Sequence, residues 1–117
     1  MHFAITATWG PTDPTRAHLP FIFAASALQA GDSVTLMLFH DAVHMATAGT
    51  AAKIVPFGPP SRFEEVLSHP NAKVLACKPC VEVRHIVETG LDKRIGVAGM
   101  NDFHAAAARE DARVVTF

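Results

Sequence analysis

Ser33 to His40 reads SVTLMLFH, an apolar, partly β-branched run without polar alternation. Such a run predicts a strand covered on both faces, which is how strands sit in a parallel sheet. Immediately before it, FAASALQAGD predicts a helix that stops at Gly31. Thr12-Asp13-Pro14 supplies the start of that helix, an N-cap oxygen followed by a proline whose missing N–H is not needed there. Pro20 lies within the pattern, so the helix either begins near His18 or bends in its first turns. Further upstream, Phe3 to Thr8 (FAITAT) predicts a first buried strand, closed by Gly10-Pro11.

Downstream of His40 the segment 41–60 gives no regular pattern and ends in Pro56-Phe57-Gly58-Pro59-Pro60. Ser61 to Ser68 (SRFEEVLS) then predicts a short helix, with Ser61 and Glu64 as a capping box. Lys73 to Ala76 is a third strand running straight into Cys77, and Pro79 to Glu88 a helix opening at the cysteines. Ile95 to Met100 reads as a fourth strand, Asn101 or Asp102 caps an alanine-rich helix, and Arg113 to Phe117 forms a fifth strand. Strands alternating with helices predict an α/β domain with a mainly parallel sheet and right-handed crossovers. With 117 residues and no linker or repeat, one domain spanning 1–117 is expected.

Half of the residues are apolar and 18% are charged, which excludes a disordered chain. The formal net charge is −1, and no basic block or basic-aromatic stripe supports nucleic-acid binding. Two cysteines three positions apart cannot staple distant segments, which points to a reducing, cytoplasmic compartment. The start of the chain has no charged-then-apolar pattern of a signal peptide, and Leu19 to Leu28 is too short to span a bilayer. Phe21 to Leu28 is apolar apart from Ser26, wider than a single sheet-facing stripe, so a homo-oligomer is expected.

In a parallel sheet, ligands bind over the C-terminal ends of the strands. Those ends carry Thr8-Trp9-Gly10, His40-Asp41, Cys77 and Met100-Asn101. Cys77, at a strand-to-helix turn, is expected to be stabilised as a thiolate by helix N–H groups, with Lys78 adding positive charge. Cys80, one turn on, is placed to attack a persulfide or mixed disulfide on Cys77. Trp9, His40, Asp41 and Lys78 are the candidate substrate-binding residues. Arg84 and His85 either tune the cysteines or lie on a solvated helix face.

Other readings of the same residues stand beside this one. Two buried cysteines can act as small hydrophobes. A thioredoxin-like dithiol is suggested by Cys-Lys-Pro-Cys, but the motif follows the third strand and no proline occurs after Pro79. A zinc site would need a second ligand pair; only His40 and His44 have helical spacing, so no metal is expected. No GxGxxG, Walker or Gly-x-Ser-x-Gly pattern occurs, so no nucleotide cofactor is expected.

Four segments carry a resemblance to a known family: TWGPTDPTRA, FAASALQAGDSVTLMLFHDAV, KVLACKPCVEVR and GVAGMNDFHAAAAREDARVVTF. Together, and in this order, they resemble the DsrE/DsrF-like family, which includes YchN-type and TusD-type proteins. The resemblance implies a three-layer α/β/α sandwich with a five-stranded parallel sheet, and a homo-oligomer such as a trimer or hexamer. It implies a sulfur-relay role, with sulfane sulfur held as a persulfide on Cys77, Cys80 as a resolving or tuning thiol, and donor and acceptor proteins as partners. Where the family often has an arginine-glycine pair, this chain has Arg84-His85. A sulfurtransferase, a binding module of the same fold and a dithiol redox protein are thus the three functional expectations. Thiol reactivity separates them, because a carrier needs an exposed, acidified cysteine.

Overall fold

The computed structural model describes residues 1–53 and 62–117. Five strands form one sheet: β1 (His2–Ala7), β2 (Ser33–Leu38), β3 (Ala72–Cys77), β4 (Gly96–Ala98) and β5 (Ala112–Thr116). All pairings are parallel, in the order β4-β3-β2-β1-β5. The chain steps outward from β1 to β4 and then returns beside β1 as β5.

Helix α1 (Pro14–Gln29) starts where the sequence predicts. Asp13 caps it by accepting the Arg16 N–H at 3.1 Å, and Gly31 leaves it at φ +92°. Pro20 is therefore inside the helix and buried, and the His18 ring lies 3.0 Å from the Pro14 carbonyl in the preceding turn. α1 packs on the face of the sheet that carries Phe3, whose ring meets Phe23 edge-on at 5.2 Å. Phe21 reaches Phe63 of α3 (Arg62–Leu67) at 4.6 Å, and Phe23 also faces Phe117. Most of the apolar surface of α1 is thus spent within the fold.

Side chains alternate along a strand, so His2, next to Phe3, points to the opposite face. There it lines a hollow of about 350 Å³ with Thr35, Lys73, Asp102 and Ala106 of α5 (Met100–Ala107), and Arg109 beyond it. Helices on both faces give three layers. The His2 ring is satisfied by Ser33 Oγ at 2.7 Å and Thr35 Oγ1 at 2.9 Å, and burial lowers its pKa. Ile5, Leu36, Met37 and Leu38 at the sheet centre are fully buried, as the unbroken SVTLML pattern requires.

Several boundaries move. β2 ends at Leu38, and His40–Ala46 winds as a 3-10 turn followed by the short helix α2 (Thr50–Lys53). Part of the unpatterned segment is therefore ordered, held by a bridge from Thr47 to Leu91 and by the Asp92 N–H on the Ala46 carbonyl at 2.8 Å. The proline-rich stretch 56–60 and the capping residue Ser61 lie outside the described residues. Helix α4 runs only from Lys78 to Val83, shorter than Pro79 to Glu88, because His85 turns the backbone left-handed at φ 55°. α5 is capped by Gly99, not by Asn101 or Asp102; Asp102 reaches back to the Gly99 N–H at 3.0 Å. No helix of the described residues is long and apolar enough to cross a membrane.

Candidate functional site

β3 delivers Cys77 to the C-terminal edge of the sheet, where it becomes the N-cap of α4. The tight turn brings Cys80 back onto it: both cysteines are free and their sulfurs are 2.9 Å apart. A disulfide needs about 2.05 Å between sulfurs, so a shift of less than about 1 Å would close one.

The neighbouring strand end supplies the rest. Beyond β2, His40 takes a left-handed conformation, φ 53°, which turns its backbone N–H towards Cys80 Sγ at 3.2 Å. Arg84 leaves the end of α4 and holds this loop in place. Its guanidinium donates to Asp41 Oδ1 at 3.0 and 2.9 Å, meets His40 Nδ1 at 2.9 Å and donates to the Cys80 carbonyl at 3.2 Å. The hydrogen bond from Arg84 lowers the Asp41 pKa against a smaller opposing effect of burial. One strand further along, Gly10 abuts the same loop: a Cβ there would overlap the Asp41 carbonyl oxygen. Three consecutive strand ends, those of β1, β2 and β3, are thereby locked together.

The two thiols differ in environment. Cys77 is 7% exposed and Cys80 is half-buried. Burial pushes the Cys77 thiol up, the Cys80 thiol beside it adds to this, and the Cys80 amide and Arg84 pull down by less. The strand-helix position predicts a stabilised thiolate at Cys77, and burial by the sheet and α4 works against that charge. Lys78 is exposed.

Of the sequence candidates, His40, Asp41, Cys77 and Cys80 come together. Trp9 does not join them; it stacks under the Arg16 guanidinium, 4.4 Å from the ring centroid, and lines a separate hollow with Arg16, Leu19 and Phe117. His40 is engaged with Arg84, and among the described residues no cluster of three His, Cys, Asp or Glu could hold a metal ion. Arg84, which the sequence leaves between tuning the cysteines and facing solvent, is the hub of the site. Its spacing of four from Cys80 was the available signal, since that places both on one helix face.

A family model described as the DsrE/DsrF-like family matches residues 1–117. The chain is 30% identical, over 120 residues covering all of both chains, to a curated relative named uncharacterized protein MJ0989, from Methanocaldococcus jannaschii. Its fold is similar to the crystal structure of the ychN protein from E. coli, with a TM-score of 0.77 over 99% of this chain and 97% of that one. Identity there is 22%, so that likeness concerns the fold.

Proposed function

Since the chain belongs to the DsrE/DsrF-like family, we propose that it is a sulfur carrier, or a sulfurtransferase-like protein, working through the Cys77–Cys80 pair. The observation that carries this reading is the pair of free thiols 2.9 Å apart at the sheet edge, beneath a backbone N–H. A cysteine thiolate attacks the sulfane sulfur of a persulfide or polysulfide donor; the new S–S bond forms as the donor's breaks, and the donor leaves as a thiolate or a shortened polysulfide. An acceptor thiolate attacking the outer sulfur then takes it away and restores the cysteine. Attack by the second cysteine on the inner sulfur instead expels sulfide and leaves a Cys77–Cys80 disulfide, with the sulfane sulfur reduced and the two thiols oxidised.

The reading includes a reducing, cytoplasmic setting and a homo-oligomer, a trimer or hexamer. With α1 largely spent inside the fold, the apolar surface that remains for partners includes Val83, Val87, Met100 and Val114, each more than half exposed. Intact-protein mass spectrometry after incubation with inorganic tetrasulfide tests the function. Retained sulfur that thiols remove supports a carrier. Loss of two hydrogens without retained sulfur supports a dithiol redox protein. An unchanged mass, with both thiols slow towards alkylation, leaves a binding module of the same fold.

A further inference from the structure

We infer that Arg84 is the positioning residue of the thiol pair. By strapping the His40–Asp41 loop to α4 it keeps the His40 N–H on Cys80 Sγ, and through that contact directs the Cys80 thiol onto Cys77. This rests on the sulfur-carrier reading and names the residue that tunes its thiols.

The contacts run in one direction. Cys77 Sγ receives the Cys80 thiol at 2.9 Å and also the Cys80 backbone N–H. Cys80 Sγ in turn receives the His40 N–H at 3.2 Å. Donation into Cys80 Sγ polarises its S–H and strengthens the bond that this S–H makes, as in any hydrogen-bond chain. A charge developing on Cys77 thus meets two donors, which act against the burial that disfavours it. The charged and titratable neighbours include Arg84 and Lys78 from α4 and His40 and Asp41 from the loop, while β4 sets Ala98 beside Cys77.

The direction of the His40 N–H has to be enforced. Its backbone is left-handed at φ 53°, a conformation uncommon for residues other than glycine. Arg84, whose side chain is only 18% exposed, reaches it by three routes. The guanidinium meets His40 Nδ1 at 2.9 Å, donates to Asp41 Oδ1 at 3.0 and 2.9 Å, and donates to the Cys80 carbonyl at 3.2 Å. An arginine only donates, so Nδ1 is the acceptor and the neutral ring carries its proton on Nε2, which lies 3.9 Å from Asp41 Oδ2. His40 thereby gives its ring to the strap and its backbone to the thiol. The planar fork of a guanidinium can serve these acceptors together, whereas a lysine ammonium is a point charge on a flexible stem.

The test uses the full reduced chain and the variants Arg84→Met, Arg84→Lys and the double variant Arg84→Met with His40→Gly. Two quantities are read: the rate of sulfur loading from inorganic tetrasulfide by intact mass, and the pH inflection of iodoacetamide alkylation. Arg84→Met is expected to load roughly tenfold more slowly, as for the loss of one hydrogen bond to a charged group. Its alkylation inflection should rise by about one pH unit. Arg84→Lys keeps the charge but not the fork, and should behave like Arg84→Met; it decides the question alone if Arg84→Met does not fold. Glycine takes the left-handed turn unaided, so the double variant should recover most of the lost rate although it lacks both side chains. Wild-type behaviour of Arg84→Lys would show that charge alone acts and would overturn the positioning role. An unchanged Arg84→Met, or a double variant slower than Arg84→Met, overturns it as well. Absence of loading in the wild type sinks the carrier reading, while the alkylation inflection, which needs no sulfur donor, still decides the role of Arg84.

Discussion

Replacing Gly10 by alanine tests whether three loops form one unit around the thiols. Gly10 has no left-handed requirement; its constraint is space. A Cβ would overlap the Asp41 carbonyl oxygen and stand 3.1 Å from the Asp41 carbonyl carbon and 3.2 Å from its Cβ. The obstacle is mostly backbone, so no rotamer change relieves it, and the upper part of the overpacking range applies, about 2–3 kcal/mol. A stiffer unfolded chain returns about 0.4–1 kcal/mol, leaving about 2 kcal/mol of destabilisation. With an unfolding entropy of about 2.1 cal/mol/K per residue, a chain of 117 residues loses about 8 °C of Tm. The local effect is more specific. Moving the His40–Asp41 loop by about 1 Å stretches the 3.2 Å N–H···S contact beyond useful length. Gly10→Ala should therefore lower Tm by calorimetry and also slow the alkylation of Cys80. A variant with wild-type Tm and wild-type labelling would refute the claim that the β1 loop braces the site.

Arg84→Met should remove the pull on Asp41 and so alter the acid limb of stability. A depressed carboxyl pKa contributes stability that is present above the unfolded value, ordinarily 3.8, and lost as pH falls through the folded value. Urea midpoints for wild type should fall more steeply below about pH 4 than those of the variant; parallel curves would contradict the pairing. His85→Gly restores the residue suited to φ 55°. Relief of about 1–2 kcal/mol of left-handed strain, against about 0.5–1 kcal/mol of added unfolded-state freedom, should raise Tm by a few degrees, and a fall would show that the His85 side chain stabilises the turn. In Cys80→Ser, alkylation of Cys77 should show its inflection above the ordinary thiol range, because burial favours its neutral form. An inflection below that range would mean that the site acidifies Cys77.

The sheet was legible because burial on both faces writes itself into sequence. SVTLML and KVLAC can be read without any knowledge of their neighbours. The start and stop of α1 were equally local, an aspartate-proline pair and a glycine. The 3-10 turn from His40 to Ala46 was not legible, since what orders it is remote: Leu91, the Ala46–Asp92 hydrogen bond and Arg84. Nor does a sequence state which of two cysteines a covering strand will bury. The spacing Cys77 to Cys80 predicts their proximity, but the contrast between them depends on β4 and on the direction of the His40 amide. Trp9 illustrates the opposite limit. Topology placed it correctly at the C-terminal edge, yet its partner turned out to be Arg16, because an exposed guanidinium seven residues on could stack on the ring.

A lone sulfur-bearing thiol is a store: what it holds stays until a partner collects it. Under the proposed carrier function, two thiols 2.9 Å apart would form a clock instead. The second sulfur would act at an effective concentration far above that of any free thiol in solution, so a loaded pair would discharge itself as sulfide unless a docked acceptor were faster. Delivery and waste are then decided by how long the acceptor takes to arrive, and the spacing of the two sulfurs sets the deadline.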